Sequence, residues 1–290
     1  MTDKRPGFEL IIVSYNRPKV LSATVRAVRA MYPELLICLG LQGDAREFMQ
    51  EIEKEPVRNL RILTFNNPGT TMALNACIAS SPADVALIID DDAAPCSGWL
   101  ESHAQAFLSD PGLFYTCGRE IRVRSIRPAY ADSIRLLFEA FFRKFLPRDV
   151  SLQGRIVGWT SSTGLIFGNF NQPGTCRINT PRGCNMAVRI DALAAIGGFS
   201  NSFRGNAWGF EADFGLRIAQ QGGYGRYVGA AAVLHFEFPS GGSRQGNRLL
   251  WYRDYLHNHR ILIGHLGPQA WIGALPRLVK KAFWLMVPKR

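Results

Sequence analysis

Residues Val85–Pro95 read Val-Ala-Leu-Ile-Ile-Asp-Asp-Asp-Ala-Ala-Pro: five apolar residues run into three consecutive carboxylates and then a turn. An apolar run of this length, rich in Ile and Val, is the pattern of a strand covered on both faces, as in a parallel sheet. Such a strand delivers Asp90, Asp91 and Asp92 to the carboxyl edge of the sheet, where open α/β folds bind ligands. Three adjacent negative charges repel one another and need an offset. A divalent cation supplies one, because hard cations prefer carboxylate oxygens. Alternation along an extended chain puts Asp90 and Asp92 on one side and turns Asp91 away. The same residues also make an Asp-rich turn that ends a strand and caps a helix beginning near Trp99.

On either side of this strand the pattern alternates. Phe8–Val13 is a strand, and Pro18 opens a helix whose apolar residues recur at helical spacing to Met31. Strands follow at Leu35–Leu39 and Leu60–Thr64, helices at Ala45–Lys54, Thr71–Ser80 and Gly98–Leu108, and a further strand at Leu113–Gly118. This order predicts an α/β fold with a Rossmann-like, mostly parallel sheet flanked by helices. After Arg119 the pattern is irregular and reads as an insertion. Tyr130–Leu146 has the spacing of an amphipathic, aromatic-rich helix, which suits either a core stripe or a face for membrane or acceptor. Ser161–Thr175, rich in Gly, Asn and Ser, reads as a flexible connection near the active face. Regular elements resume with a strand at Cys184–Val188 and helices at Asp191–Ile196 and Ala212–Gln221. Two short strands follow at Tyr224–Val228 and Ala231–Phe236.

The chain has 290 residues, 47% hydrophobic and 20% charged, which is ordinary for a globular protein with a sizeable core. The six cysteines have no metal-ligand spacing and read as reduced core thiols in a cytosolic protein. No secretory apolar segment opens the sequence, and no apolar run reaches the roughly 18–20 residues of a spanning helix. Net charge is +11, and from Ser240 to Arg290 nine Lys or Arg face a single acid, Asp254. A basic tail of this kind suits nucleic acid, anionic lipid or a phosphorylated ligand.

No dinucleotide-binding glycine pattern, P-loop or nucleophile elbow is present. What remains is carboxylates, a late histidine and a glycine turn. Glu211 and Asp213 open a helix, where acids suit the helix dipole, and one of them there can also serve as a general base at the mouth of a cleft. His235 ends an apolar strand, and Gly241-Gly242-Ser243-Arg244 beyond it offers backbone and a guanidinium fork to an anion.

Taken in order, these features resemble the family 2 glycosyltransferases. The motifs are Val13-Ser14-Tyr15-Asn16-Arg17-Pro18, Asn67-Pro68-Gly69 with Asn75, the Asp90-Asp91-Asp92 strand end, Gly183–Arg189, Gly197-Gly198-Phe199, Glu211 with Asp213 and Arg217, His235, and Gly241-Gly242 with Arg244. The resemblance spans roughly Phe8–Arg260 and implies the GT-A fold. It implies inverting transfer of a sugar from a nucleotide-diphosphate donor to a hydroxyl of a glycan or lipid-linked acceptor, with Mg2+ or Mn2+ as cofactor. By the same resemblance, Asp90, Asp92 and His235 hold the metal. Ser14, Tyr15, Asn16, Asn75, Asp90, Asp91 and Arg244 bind the nucleotide sugar, with Asp91 facing the sugar or ribose. Glu211 is the catalytic base, with Asp213 as runner-up. The expected organisation is a donor half at 1–118, an acceptor half at 119–265 and a basic helical tail at 266–290, and the tail's alternation of apolar residues with Arg277, Lys280 and Lys281 suits an anionic inner-membrane face. Two positions depart from the family. Phe210 stands where an acid is common, and Gly40-Leu41-Gln42-Gly43-Asp44 replaces an Asp-containing turn, so that the acid is either shifted to Asp44 or absent, with Gln42 taking over part of the contact to the nucleotide base. A sugar-nucleotide-binding protein without turnover is the alternative these departures favour. A basic nucleic-acid-binding protein is a further alternative, but no recognisable nucleic-acid module is present, so nucleic acid is not an expected partner.

Overall fold

The computed structural model describes residues 6–123, 139, 141–236, 238 and 247–286. The expected amphipathic helix over Tyr130–Leu146 falls largely outside them, as does Arg244. A nine-stranded sheet forms the centre among the described residues. Strands β1 (Phe8–Tyr15), β2 (Leu36–Gln42), β3 (Leu60–Phe65) and β4 (Val85–Asp90) are mutually parallel. β5 (Ala93–Pro95) and β6 (Tyr115–Arg122) follow. The pairs β7 (Ser151–Leu152) with β8 (Arg155–Ile156), and β9 (Trp159–Thr160) with β10 (Ile166–Phe167), stand apart from the main sheet. The segment read as a flexible connection thus contains half a hairpin and buries Phe167 and Phe170. β11 (Thr175–Ile178), β12 (Asn185–Arg189) and β13 (Gly225–His235) complete the sheet in the order β11-β13-β6-β12-β4-β1-β2-β3. β12 runs against β4 and β6, while β13 runs parallel to β6.

Alternation along the strands divides the core in two. Leu10, Ile12, Leu87 and Ile89 face α1 (Pro18–Met31), through Leu21, Val25 and Val28. α2 (Arg46–Lys54) adds Phe48 to that cluster. Ile11, Ala86 and Ile88 face the other way, toward Leu74, Cys77 and Ile78 of α3 (Thr70–Ala79). α4 (Trp99–Ser109) adds Trp99 and Phe107 to the first layer. α5 (Ile190–Ala195) and α6 (Phe210–Gln220) place Leu193, Phe210, Phe214 and Ile218 in the second. Period-2 alternation on a sheet covered on both faces makes this division. α7 (Arg248–Leu266), capped by the Asn247 side chain on the Leu249 and Leu250 amides, packs beside α6 and carries α8 (Trp271–Met286) on its outer side. All six cysteines are free thiols.

The two short strands expected at Tyr224–Val228 and Ala231–Phe236 are one strand, β13, with a register shift against β6 between Val228 and Ala232. The shift has a stated anchor. Asn185, fully buried, donates from Nδ2 to the carbonyls of Ala231 (2.7 Å) and Arg119 (3.1 Å). Its Oδ1 accepts from Trp99 Nε1 at 2.8 Å and lies 3.2 Å from His103 Nε2. Gly118 is required beside it, since a Cβ there would lie 2.0 Å from the Ala231 carbonyl oxygen. His103 therefore donates through Nε2 and accepts the Thr116 hydroxyl at Nδ1, 2.7 Å away.

Two buried imidazoles make stability depend on pH. Burial pushes His103 down to about 4, and it likewise pushes His259, stacked on Trp208, down to about 4. Unfolded histidines titrate near 6.5, so between these values the unfolded chain binds protons that the folded chain does not. Stability is full above about pH 6.5 and falls as pH drops toward 4, by about 3 kcal/mol for His103 and less for His259. Urea unfolding at pH 7.5 and 4.5 measures this difference, and His103→Gln is expected to reduce it.

Candidate active site

Parallel pairing brings the carboxyl ends of β1, β4, β6 and β13 to one edge, and antiparallel β12 begins there. Val13 pairs with Asp90, Asn185 with Ile89, and His235 with Arg122 and Ala93. Residues far apart in sequence therefore meet: Ser14 and Arg17 after β1, Asp90–Asp92 after β4, Glu120 on β6, Arg182–Cys184 before β12 and His235 at the end of β13.

Their charges alternate. His235 Nδ1 lies 2.7 Å from Glu120 Oε1, while Nε2 is 3.1 Å from Asp92 Oδ1 and 3.6 Å from Asp90 Oδ2. Arg182 Nε meets Glu120 at 3.0 Å. Arg17 bridges Asp91 (3.0 Å) and Asp92 (3.1 Å). Burial alone would lower the His235 imidazole, but hydrogen bonds to Asp92, Cys184 and Glu120 outweigh it and push His235 up to about 12. Glu120 responds in the opposite sense: burial raises it, yet His235, Arg182 and Arg122 hold it down to about 2. Burial also raises Asp92, and His235 and Arg17 more than reverse that. Asp90 is pushed up to about 7, first by its crowded surroundings, with His235 opposing and Asp92 and Asp91 adding. Half of its side chain, 49%, remains accessible, which tempers that desolvation and leaves Asp90 the open member of the group.

These residues fit a divalent cation. Asp90, Cys184 and His235 each offer a donor atom within 4.8 Å of the others. The Glu120 carboxylate on Nδ1 fixes the ring so that Nε2 points at Asp90 and Asp92, the outer arrangement that metal-binding imidazoles use. The clustered carboxylates demand positive charge, met here by a protonated ring and equally met by a metal ion.

Glu211 lies in the first turn of α6, which starts after Gly209 in a left-handed conformation. Its Oε1 accepts from the Gly183 amide at 3.2 Å, and burial pushes its carboxyl up against the pull of backbone amides and Arg182. Arg182 also acts on Asp90, so it links Glu211 electrostatically to the carboxylate cluster. Glu211 is partly open to solvent. Asp213 is not: fully buried, it accepts from Arg217 Nε at 2.8 Å and lies 2.7 Å from His265 Nε2 on α7, in an orientation that leaves Oδ1 without a hydrogen bond.

Other expected residues have definite places. Asp91 turns to the α1 side, where Ser14 Oγ donates to it at 2.5 Å and Arg17 pairs with it, so its carboxylate is buried among these partners. Asn75 exchanges two hydrogen bonds with the Phe199 backbone (2.7 and 2.8 Å), tying α3 to the Gly197-Gly198-Phe199 turn. This pairing occupies the amide that was expected on the nucleotide. Asn16, at φ 52°, accepts the Asp44 amide at 2.7 Å, and with Tyr15 it covers Gly43 at the top of β1 and β2. Gln42 accepts the Gly69 amide, so its oxygen braces the start of α3 rather than standing free toward a nucleotide base. Phe210 packs edge-on against Phe199 as core. Glu120, Arg182 and Cys184 were not anticipated here. Glu120 was hidden among the neighbouring charges Arg119 and Arg122, and Arg182 and Cys184 gave no signal beyond their place just before Asn185.

A model of Glycosyl transferase family 2 matches residues 9–165. Two solved structures share the fold. The crystal structure of GalNAc-T7 with UDP, GalNAc and Mn2+ is 14% identical, with a TM-score of 0.62 over 95% of this chain and 54% of that one. The mannosyltransferase PcManGT from Pyrobaculum calidifontis, in complex with GDP-Man and Mn2+, is 14% identical, with a TM-score of 0.58 over 99% of this chain and 77% of that one. The chain spans about half the length of GalNAc-T7. At this identity the likeness concerns the fold, a GT-A arrangement. No curated protein sequence matches the chain.

Proposed function

The chain belongs to glycosyl transferase family 2, and on that premise we propose that it transfers a sugar from a nucleotide-diphosphate donor to a hydroxyl of a glycan or lipid-linked acceptor, with inversion at the anomeric carbon. The observation that carries this reading is the convergence of Asp90, Asp92 and His235 at one sheet edge, with Glu211 partly open near Arg182. Asp90, Asp92 and His235 would hold Mn2+ or Mg2+, with Cys184 the neighbouring donor. Bound there, the ion supplies charge stabilisation to the departing diphosphate. Glu211 takes the proton of the acceptor hydroxyl as that oxygen bonds to the anomeric carbon and the bond to the diphosphate oxygen breaks. Burial suits it to the role by raising its affinity for that proton. Arg182 lies between the base and the carboxylates, where its charge steadies both. Arg17 and Ser14 hold Asp91 and Asp92 in place, and Tyr15 and Asn16 border the nucleotide. Arg244 remains a proposed diphosphate contact on sequence grounds. Residues 1–118 are the donor half and 119–265 the acceptor half, with catalysis in the cytoplasm at the inner face of the cell membrane.

A thermal-shift panel of UDP- and GDP-sugars with and without Mn2+ tests the donor and the metal together. At ligand concentrations near 100 times Kd, about 2.7 kcal/mol of stabilisation is expected, or roughly 4–5 °C in Tm. The shift is expected to need both components and to be lost in Asp92→Asn and His235→Ala. Equal stabilisation by the nucleotide sugar in excess EDTA would sink the metal assignment.

A further inference from the structure

α8 is apolar on two sides. Its inner side packs Ala274 and Leu278 against Tyr255 of α7, and Arg277 reaches back to the Gly164 carbonyl. That packing already buries one stripe, so an outer helix should turn polar residues to water. Instead Ile272, Leu275 and Val279 stand 64%, 52% and 51% exposed. Their spacing of three and four residues sets them on one face. Lys280 is exposed at the border of this stripe, and Lys281 lies 5.1 Å from the Trp251 ring. On α7, Leu249 and Leu250 are also exposed. The loop that α8 leans on, through Gly164 and Leu165, packs against Phe142 and Leu146, beside which Phe141 and Phe145 are exposed.

We propose that the Ile272–Leu275–Val279 face of α8, with Leu249 and Leu250, docks on an anionic phospholipid bilayer and lies in its interface without crossing it. The proposal deepens the peripheral location in the proposed function and rests on that part of it. Among the described residues no helix is long and apolar enough to span a membrane. An amphipathic helix with aliphatic residues outward and lysines at the border is built to lie in the headgroup region. Charge selects the occupant. The two helices carry a single acid, Asp254, against the exposed Arg253, Arg260 and Lys280 and the half-buried Lys281, so a second copy would bring like charge against like, whereas anionic headgroups complement it.

Co-sedimentation of the full chain with phosphatidylcholine vesicles, with and without 30 mol% (an approximate choice) phosphatidylglycerol, tests this. Partition onto the anionic vesicles is expected to be at least about tenfold stronger and to weaken with salt. The combined variant Ile272→Gln, Leu275→Gln, Val279→Gln should lose about tenfold or more, with an unchanged circular-dichroism melt, and Lys280→Glu should weaken binding by a smaller factor. Pelleting of the triple variant like the parent overturns the proposal, as does a parent that stays in the supernatant. If sedimentation velocity finds a dimer that the triple variant disperses, the face belongs to a second copy and the proposal fails. None of these residues touches the carboxylate site, so vesicle binding and the donor-dependent thermal shift stand or fall separately.

Discussion

Glu211→Gln is expected to lower kcat for sugar transfer by about 10²–10⁴-fold, the usual contribution of a positioned general base. The variant should keep the thermal shift with donor and Mn2+, because the amide preserves the side chain's volume and its acceptor toward the Gly183 amide. The comparison with Asp213→Asn makes the result specific. Asp213 is closed to solvent, pairs with Arg217 and lies beside His265 between α6 and α7. Removing its charge leaves a buried guanidinium poorly paired, a loss of about 3 kcal/mol in stability. Turnover per folded molecule should survive. Abolished turnover in Asp213→Asn with an active Glu211→Gln would exchange the two assignments.

Asn185→Ala is expected to destabilise the chain by about 3–5 kcal/mol, a fall of roughly 5–8 °C in Tm. The amide serves two carbonyls and two side-chain donors in one place, all buried but the half-buried Arg119 carbonyl. Deleting it strands the Trp99 N–H and the Ala231 carbonyl away from water, and unsatisfied buried groups carry the full desolvation cost. Asn185→Asp, which keeps the acceptor for Trp99 and His103 but lacks the donor, should also be destabilised. Urea unfolding of both variants checks this. A loss under about 1 kcal/mol for Asn185→Ala would mean that the strand shift holds without its plug.

Much of this architecture was legible because it depends on local pattern. The apolar runs at Phe8–Val13 and Val85–Ile89 are strands buried on both faces, and Pro18 opens α1 as its fixed φ allows. Alternation put Asp90 and Asp92 on one side and Asp91 on the other; Asp91 joins Ser14 on the α1 side, while Arg17 bridges Asp91 and Asp92. What pattern could not supply was the pairing across the sheet. Cys184 read as a core thiol because its burial is real, and only the register of β12 against β4 reveals that it sits beside Asp90 and His235. Glu120 looked like one charge among several near Arg119 and Arg122, and its role depends on parallel pairing with β13. The single strand at Gly225–His235 was divided in two because Gly229-Ala230-Ala231 resembles a turn until Asn185 is known to fill it. Asn75 and Gln42 were assigned to the nucleotide, and Asp213 to the runner-up place as base, by position along the chain. Their partners, Phe199, Arg217 with His265, and Gly69, lie nearby only in three dimensions or on the next turn.

The register shift in β13 also sets the phase of the pleat. Val228 pairs with Gly118 and Ala232 with Arg119, so β13 gains three residues on its neighbour, an odd number. Tyr227, before the shift, belongs to one layer of the core, while Ala231 and Val233, of the same odd parity, belong to the other. His235 shares their parity. Three glycine or alanine residues that touch no candidate ligand therefore decide on which side of the sheet the imidazole emerges. Loss of one of them would invert that phase and loss of two would preserve it, so the site is addressed by counting as well as by chemistry.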